Sequence, residues 1–131
     1  METMALPVTA LYAGLLGLFS LFLGIRITVM RARTKVVLGD GGNDELATAM
    51  RVFGNFMEYV PLALILLALA EINGASSAMT HWLGGALVVG RVLHLIGLDS
   101  TRPITFGRVA GMTITWGVIL ISSGLGLSRL I

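Results

Sequence analysis

Four long apolar stretches separated by short polar segments set the pattern of the chain. Charged residues are absent from positions 3–25, 59–70, 72–90 and 109–128. Several of these runs approach the roughly 20 residues that a helix needs to cross a bilayer core. The pattern predicts spanning helices at about residues 6–30, 45–72, 78–98 and 107–127, in a single domain that takes up residues 1–131. Between the first two helices, Gly39, Asp40, Gly41, Gly42, Asn43 and Asp44 combine flexible and turn-forming residues into a genuine loop, with Asn43 or Asp44 placed to cap the second helix. The second connection holds Asn73 and Gly74, and the third holds Asp99, Ser100, Thr101, Arg102 and Pro103. Both are short enough to set neighbouring helices antiparallel. The expected fold class is an all-α membrane protein, a four-helix transmembrane bundle.

Composition agrees and removes alternatives. A chain of 131 residues with 56% apolar and 12% charged content does not fit a water-soluble surface, and its mean hydropathy of +0.91 points the same way. Reading the first apolar run as a cleaved signal peptide is disfavoured, because the residues before it carry Glu2 and no Lys or Arg. There are no cysteines, so any sulfur chemistry requires a thiol brought by a ligand. Lys and Arg favour the cytoplasmic side of short loops. Arg31, Arg33 and Lys35 follow the first helix and Arg102 and Arg108 follow the third, while the connection 73–77 has no cation and Arg129 alone is basic near a terminus. Both termini are therefore expected outside the cytoplasm, with the protein integral to a membrane and surrounded by its lipids. The formal net charge of +2 is modest, but gathered on one face it would attract anionic headgroups or a small anion. No basic stripe with interleaved aromatics is present, which argues against a nucleic-acid partner.

Seventeen glycines are many for a helical chain. Small residues let helices approach closely in lipid, so pairs such as Gly107 with Gly111, or Ser122 with Gly126, are expected at helix contacts. Pro61 removes a backbone donor inside the second span and should bend it just beyond Glu58.

Several polar residues stand where lipid should forbid them. Arg51, Asn55 and Glu58 follow one another at spacings of four and three, on one face of the second helix. Counted from Arg51 at the cytoplasmic boundary, Asn55 and Glu58 lie about 6 and 10 Å into the hydrocarbon zone. On the third helix, Arg91 and His94 are three residues apart, and Arg91 lies about 12 Å from the cytoplasmic end marked by Asp99. Glu58 and Arg91 thus match in depth, and an ionisable side chain at that depth must pair or face water. An ion pair that merely fixes helix register would account for these two, but not for Arg51, Asn55 or the nearby Arg31. Guanidinium forks complement carboxylates and a carboxylate complements an ammonium group, so the set suits a small zwitterionic anion. His94 alone is as well read as a packing residue, and two histidines without a third ligand give no metal site.

Arg51, Asn55, Glu58, Tyr59 and Pro61, in the order R-x-x-x-N-x-x-E-Y-x-P, resemble the second-helix signature of the MAPEG family, the membrane-associated proteins in eicosanoid and glutathione metabolism. Chain length, the four-helix layout, a basic end to the first helix and the pair Arg91-x-x-His94 extend the resemblance over the whole chain. The resemblance implies a homotrimer with glutathione, as cosubstrate, bound between subunits near the cytoplasmic side. It implies contacts from Arg31, Arg51, Asn55, Glu58 and Tyr59, with Arg91 and His94 lining the same site. Glu58 would meet the peptide's amino group and the arginines its carboxylates. The thiolate-stabilising arginine of the family corresponds to Arg108, with Arg102 the second choice. Leu98 stands where well-studied eukaryotic members carry a tyrosine, a pattern closer to bacterial members and to an inner-membrane location. The function implied is a glutathione-dependent transferase or peroxidase acting on a small lipophilic electrophile. The competing readings are a noncatalytic membrane or lipid-binding protein on the same scaffold, and a small transporter using Glu58.

Overall fold

The computed structural model of the chain describes residues 5–102 and 104–131, so Glu2 and Pro103 lie outside the described residues. Four helices follow in order: α1 (Pro7–Thr34), α2 (Asp44–Ile72), α3 (Ser77–Gly97) and α4 (Phe106–Leu127). Each is long and apolar enough to cross a bilayer, and among the described residues all regular structure is helical.

The helices start where side chains take up amides that the first turn leaves unpaired. Asn43 Oδ1 accepts from Leu46 N at 2.9 Å, which makes Asn43 the cap and Asp44 the first helical residue. Ser76 Oγ accepts from Met79 N at 3.2 Å to open α3, and Thr105 Oγ1 accepts from Arg108 N at 3.2 Å to open α4. The Thr105 hydroxyl in turn donates to the Gly97 carbonyl, tying the start of α4 to the end of α3. No cap side chain precedes α1. Its amides are met from α2 instead: Glu71 Oε1 accepts from Val8 N at 3.1 Å and Oε2 from Thr9 N at 2.8 Å. A carboxylate at a helix N-terminus also suits the helix dipole, and here it fastens α1 antiparallel to α2.

One boundary differs from the sequence reading. α1 continues to Thr34 instead of ending near Met30, because Arg31, Ala32 and Arg33 are good helix formers and cations favour a helix C-terminus. The apolar run stops at the membrane boundary, but the helix does not. It ends at Lys35, which takes a left-handed φ of 57°. Helix α2 stays continuous through Pro61.

A thin core joins the four helices. Leu16 and Leu23 from α1, Val52, Phe56, Val60, Ala63 and Leu67 from α2, Leu83 and Leu87 from α3, and Val118 from α4 are buried together. Contact between α3 and α4 is closest where glycines face each other. A Cβ at Gly97 would lie 2.6 Å from Gly107 Cα, and one at Gly111 would lie 2.7 Å from His94 N, so side chains there would push the helices apart. A Cβ at Gly126 would meet nothing within 4 Å, so Gly126 contributes no such contact, although Ser122 is buried. Leu18, Leu21, Phe22 and Ile25 on α1 and Leu120 and Ile121 on α4 are exposed. An apolar exterior around a thin core is the inverse of a water-soluble bundle and fits a lipid surround.

The start of α1 and the end of α4 lie at one end of the bundle. Glu71 holds the start of α1 there, and Arg129 Nη2 donates to the Gly74 carbonyl at 3.3 Å, bringing the end of α4 beside the α2–α3 turn. The α1–α2 and α3–α4 connections therefore share the opposite end, as the charge pattern requires.

Candidate functional site

A cavity of about 350 Å³ opens toward the end that carries those two connections, lined by Arg51, Asn55 and Tyr59 of α2, His94 of α3 and Arg108 of α4. Residues expected from separate helices thus converge on one space. The apolar wall is completed by Leu98, Val109, Met112 and Trp116, with Thr113 beside them. Arg108, Met112 and Trp116 recur every four residues, with Val109 and Thr113 one place further on, so one face of α4 supplies this wall. The sequence reading missed that face, and the spacing downstream of Arg108 is the signal that would have found it.

Arg91 lies behind His94. It is 1% exposed, and its Nη2 donates to His94 Nδ1 at 3.2 Å. A guanidinium has no acceptor atom, so His94 accepts at Nδ1 and carries its proton on Nε2. The Arg91 guanidinium also sits 5.7 Å from the centre of the Phe56 ring, within range of a cation–π contact, and its Nη1 reaches Met112 Sδ at 3.8 Å. Arg91, Arg108 and Arg51 all lie near enough to act on His94 electrostatically. Two buried polar atoms at this place have no partner, Asn55 Oδ1 and Arg91 Nε. An unmet buried polar atom is costly, and the Asn55 oxygen, left open at the cavity wall, is what a polar ligand would satisfy.

The expected Glu58–Arg91 pair does not form. Glu58 pairs instead with Arg51 on its own helix, Nη1 to Oε1 at 3.1 Å and Nη2 to Oε2 at 3.3 Å. Matching depth fixed the height of the two residues but not their direction. Phe56, which faces Arg91, precedes Glu58 by two residues, a turn of about 200° around the helix. The Arg51 and Glu58 side chains are 59% and 49% exposed, so the pair stands on the open flank of the cavity.

Two expected residues lie elsewhere. Arg31 is packed near Gly24, Ile27, Met50 and Phe53 on the α1–α2 flank and bonds to loop carbonyls. Arg102 is exposed in the α3–α4 connection, where its charge, after the stronger hydrogen bonds from Thr101, helps hold the Asp99 carboxyl below its ordinary range. Of the two candidate activating arginines, Arg108 is the one at the cavity. Among the described residues no cluster of metal-ligating side chains occurs.

Comparison with known proteins bears on the same span. The MAPEG family model matches residues 9–128. Over 114 residues, 87% of this chain and 86% of the relative, the sequence is 37% identical to Inner membrane protein YecN of Escherichia coli (strain K12). The match to YecN of Escherichia coli O6:H1 (strain CFT073) has the same extent and identity. Four spanning helices, the second-helix signature at the cavity and a family match over nearly all of the chain lead to one assignment: this integral membrane protein belongs to the MAPEG family.

Proposed function

We propose that the protein is a glutathione-dependent transferase or peroxidase of the bacterial inner membrane, acting on small lipophilic electrophiles. The observation that carries this reading is the cavity in which Arg51, Asn55, Tyr59, His94 and Arg108 meet. Its size falls in the ~300–1,000 Å³ range of small-molecule sites. Glutathione offers two carboxylates, one ammonium group and a thiol. Arg51 and Arg108 complement its carboxylates or thiolate, Glu58 its ammonium group, and Asn55 Oδ1 an amide donor. The cysteine-free chain leaves the ligand's sulfur as the nucleophile. In transfer, the thiol proton goes to water and the sulfur bonds to the electrophilic carbon, whose leaving group departs with the electron pair of the broken bond or, where the electrophile is an activated alkene, whose π pair moves to the far carbon and is protonated. A cation beside the sulfur favours its anionic form.

The site is open along the Arg51–Glu58 flank, and a half-exposed ion pair inside a spanning helix calls for a covering neighbour or a water-filled space. Assembly as a homotrimer, each copy closing the cavity of the next, supplies that cover and brings Arg31 of a neighbouring copy within reach of the site. In this reading the basic end faces the cytoplasm, by the preference of Lys and Arg for that side, which leaves both termini outside.

Calorimetric titration of the purified protein with glutathione tests the reading. Saturable binding that weakens in Arg51→Ala is expected. Absence of binding by the wild-type protein would leave the noncatalytic, lipid-binding alternative in its place.

A further inference from the structure

The α1–α2 connection is wound around one side chain. Arg31 Nη1 donates to the carbonyls of Val36 at 3.3 Å, Val37 at 3.2 Å and Gly39 at 2.9 Å, while Nη2 reaches Met50 Sδ on α2 at 3.4 Å. The backbone is set to match. Lys35 and Gly39, Gly41 and Gly42 all have positive φ, and a Cβ at Gly41 would lie 2.6 Å from a Val36 methyl, so only glycine fits that close approach. Asp40 Oδ1 accepts from Gly42 N at 2.9 Å, which turns the loop's own carboxylate back onto its backbone.

In this fixed shape the loop presents two adjacent apolar side chains outward. Val37 is 84% and Leu38 86% exposed, and Arg33 and Lys35, just before them, are exposed as well. Height decides what meets them. With 28 residues, α1 is about 42 Å long against a hydrocarbon core of about 30 Å. Measured from Pro7, the core ends near Arg26, and Arg31 lies about 7 Å further on, within the headgroup layer. The loop folds back onto Arg31, so Val37 and Leu38 are held in the headgroup layer, with the acyl chains about 7 Å below. An apolar pair beside two cations at that level complements an anionic lipid surface, with acyl chains for the one and phosphates for the other.

We propose that the loop 35–39 is an interfacial anchor that binds anionic phospholipid, Val37 and Leu38 entering the leaflet while Arg33 and Lys35 hold headgroup phosphates. Arg31 is the positioning residue of this anchor, and through Met50 it connects the lipid surface to the turn of α2 that carries Arg51. The lipid contacts themselves are made by residues outside the proposed glutathione site.

Because the chain has no cysteine, Leu38→Cys gives a single labelling position. A nitroxide there, in nanodiscs of phosphatidylcholine with or without phosphatidylglycerol, should be reached by dissolved oxygen and shielded from an aqueous nickel chelate. A label at Thr101→Cys, exposed at the same end of the bundle, should show the reverse. Shielding at position 38 should increase with phosphatidylglycerol. Native mass spectrometry should show phosphatidylglycerol retained over phosphatidylcholine, with Arg33→Gln and Lys35→Gln each lowering its apparent affinity about fivefold, the equivalent of ~1 kcal/mol per surface cation. A label at position 38 as open to nickel as the one at 101 would overturn the proposal. So would equal lipid retention by wild type and the two variants, or shielding that comes with strong dipolar coupling between labels and ignores lipid charge, which would identify a second copy as the occupant.

Discussion

Arg108 reaches the cavity and Arg102 does not, and the two arginines are therefore expected to behave differently on substitution. If Arg108 stabilises a bound thiolate, Arg108→Ala should lower turnover roughly 100-fold, the usual cost of losing one preorganised donor to a developing anion, while binding changes little. Arg102→Ala should leave the rate near wild type, and Arg108→Lys should retain part of it, since charge remains but the planar fork is lost. Steady-state conjugation rates with a soluble model electrophile check all three. Glu58→Gln should weaken glutathione binding by about 1.5–3 kcal/mol if a charge-assisted bond to the ammonium group is lost, measured by calorimetry; unchanged affinity would remove Glu58 from the site. At this scale the sequence was legible along each helix and not around it. A spacing of four placed Arg51 and Asn55 together at one cavity wall. The Glu58–Arg91 expectation failed because depth along an axis says nothing about azimuth, and Phe56 takes the position facing Arg91.

Helix contacts depend on what the glycines leave room for. Gly97→Ala would drive a methyl group into Gly107, and overpacking of this kind costs about 1–3 kcal/mol. Gly117, where an added Cβ would meet nothing within 4 Å, provides the control: Gly117→Ala should leave stability unchanged or raise it, since alanine is the better helix former. Thermal unfolding in detergent, read by circular dichroism, should separate the two, and equal midpoints would show that the α3–α4 contact does not depend on Gly97. The four helices were visible in the charge-free runs because each run is close to a bilayer in length. Their ends were less visible. The extension of α1 to Thr34 follows helix propensity after the apolar signal has stopped, and the cap of α1 comes from Glu71, 62 and 63 residues away in the chain. Gly107 and Gly111 meet α3 as expected while Gly126 does not, because small-residue spacing marks a face without saying whether another helix lies on it.

The whole molecule has one flank that a single copy leaves open, where Arg51 and Glu58 remain half exposed beside the cavity. Native mass spectrometry in mild detergent should therefore give a trimer, and a monomer under conditions that preserve ligand binding would contradict closure by a neighbouring copy. Oligomeric state lies beyond what helix patterning reports, since a lipid-facing flank and a protein-facing flank are equally apolar. The central claim, a cationic cavity that binds glutathione and holds its sulfur as an anion, is tested most directly by ultraviolet difference absorbance during titration of the wild-type protein with glutathione. Below the pKa of about 8.5 of an ordinary thiol, saturable growth of thiolate absorbance that is lost in Arg108→Ala is the result expected. Binding without any thiolate signal, or a signal of equal size in Arg108→Ala, would contradict it.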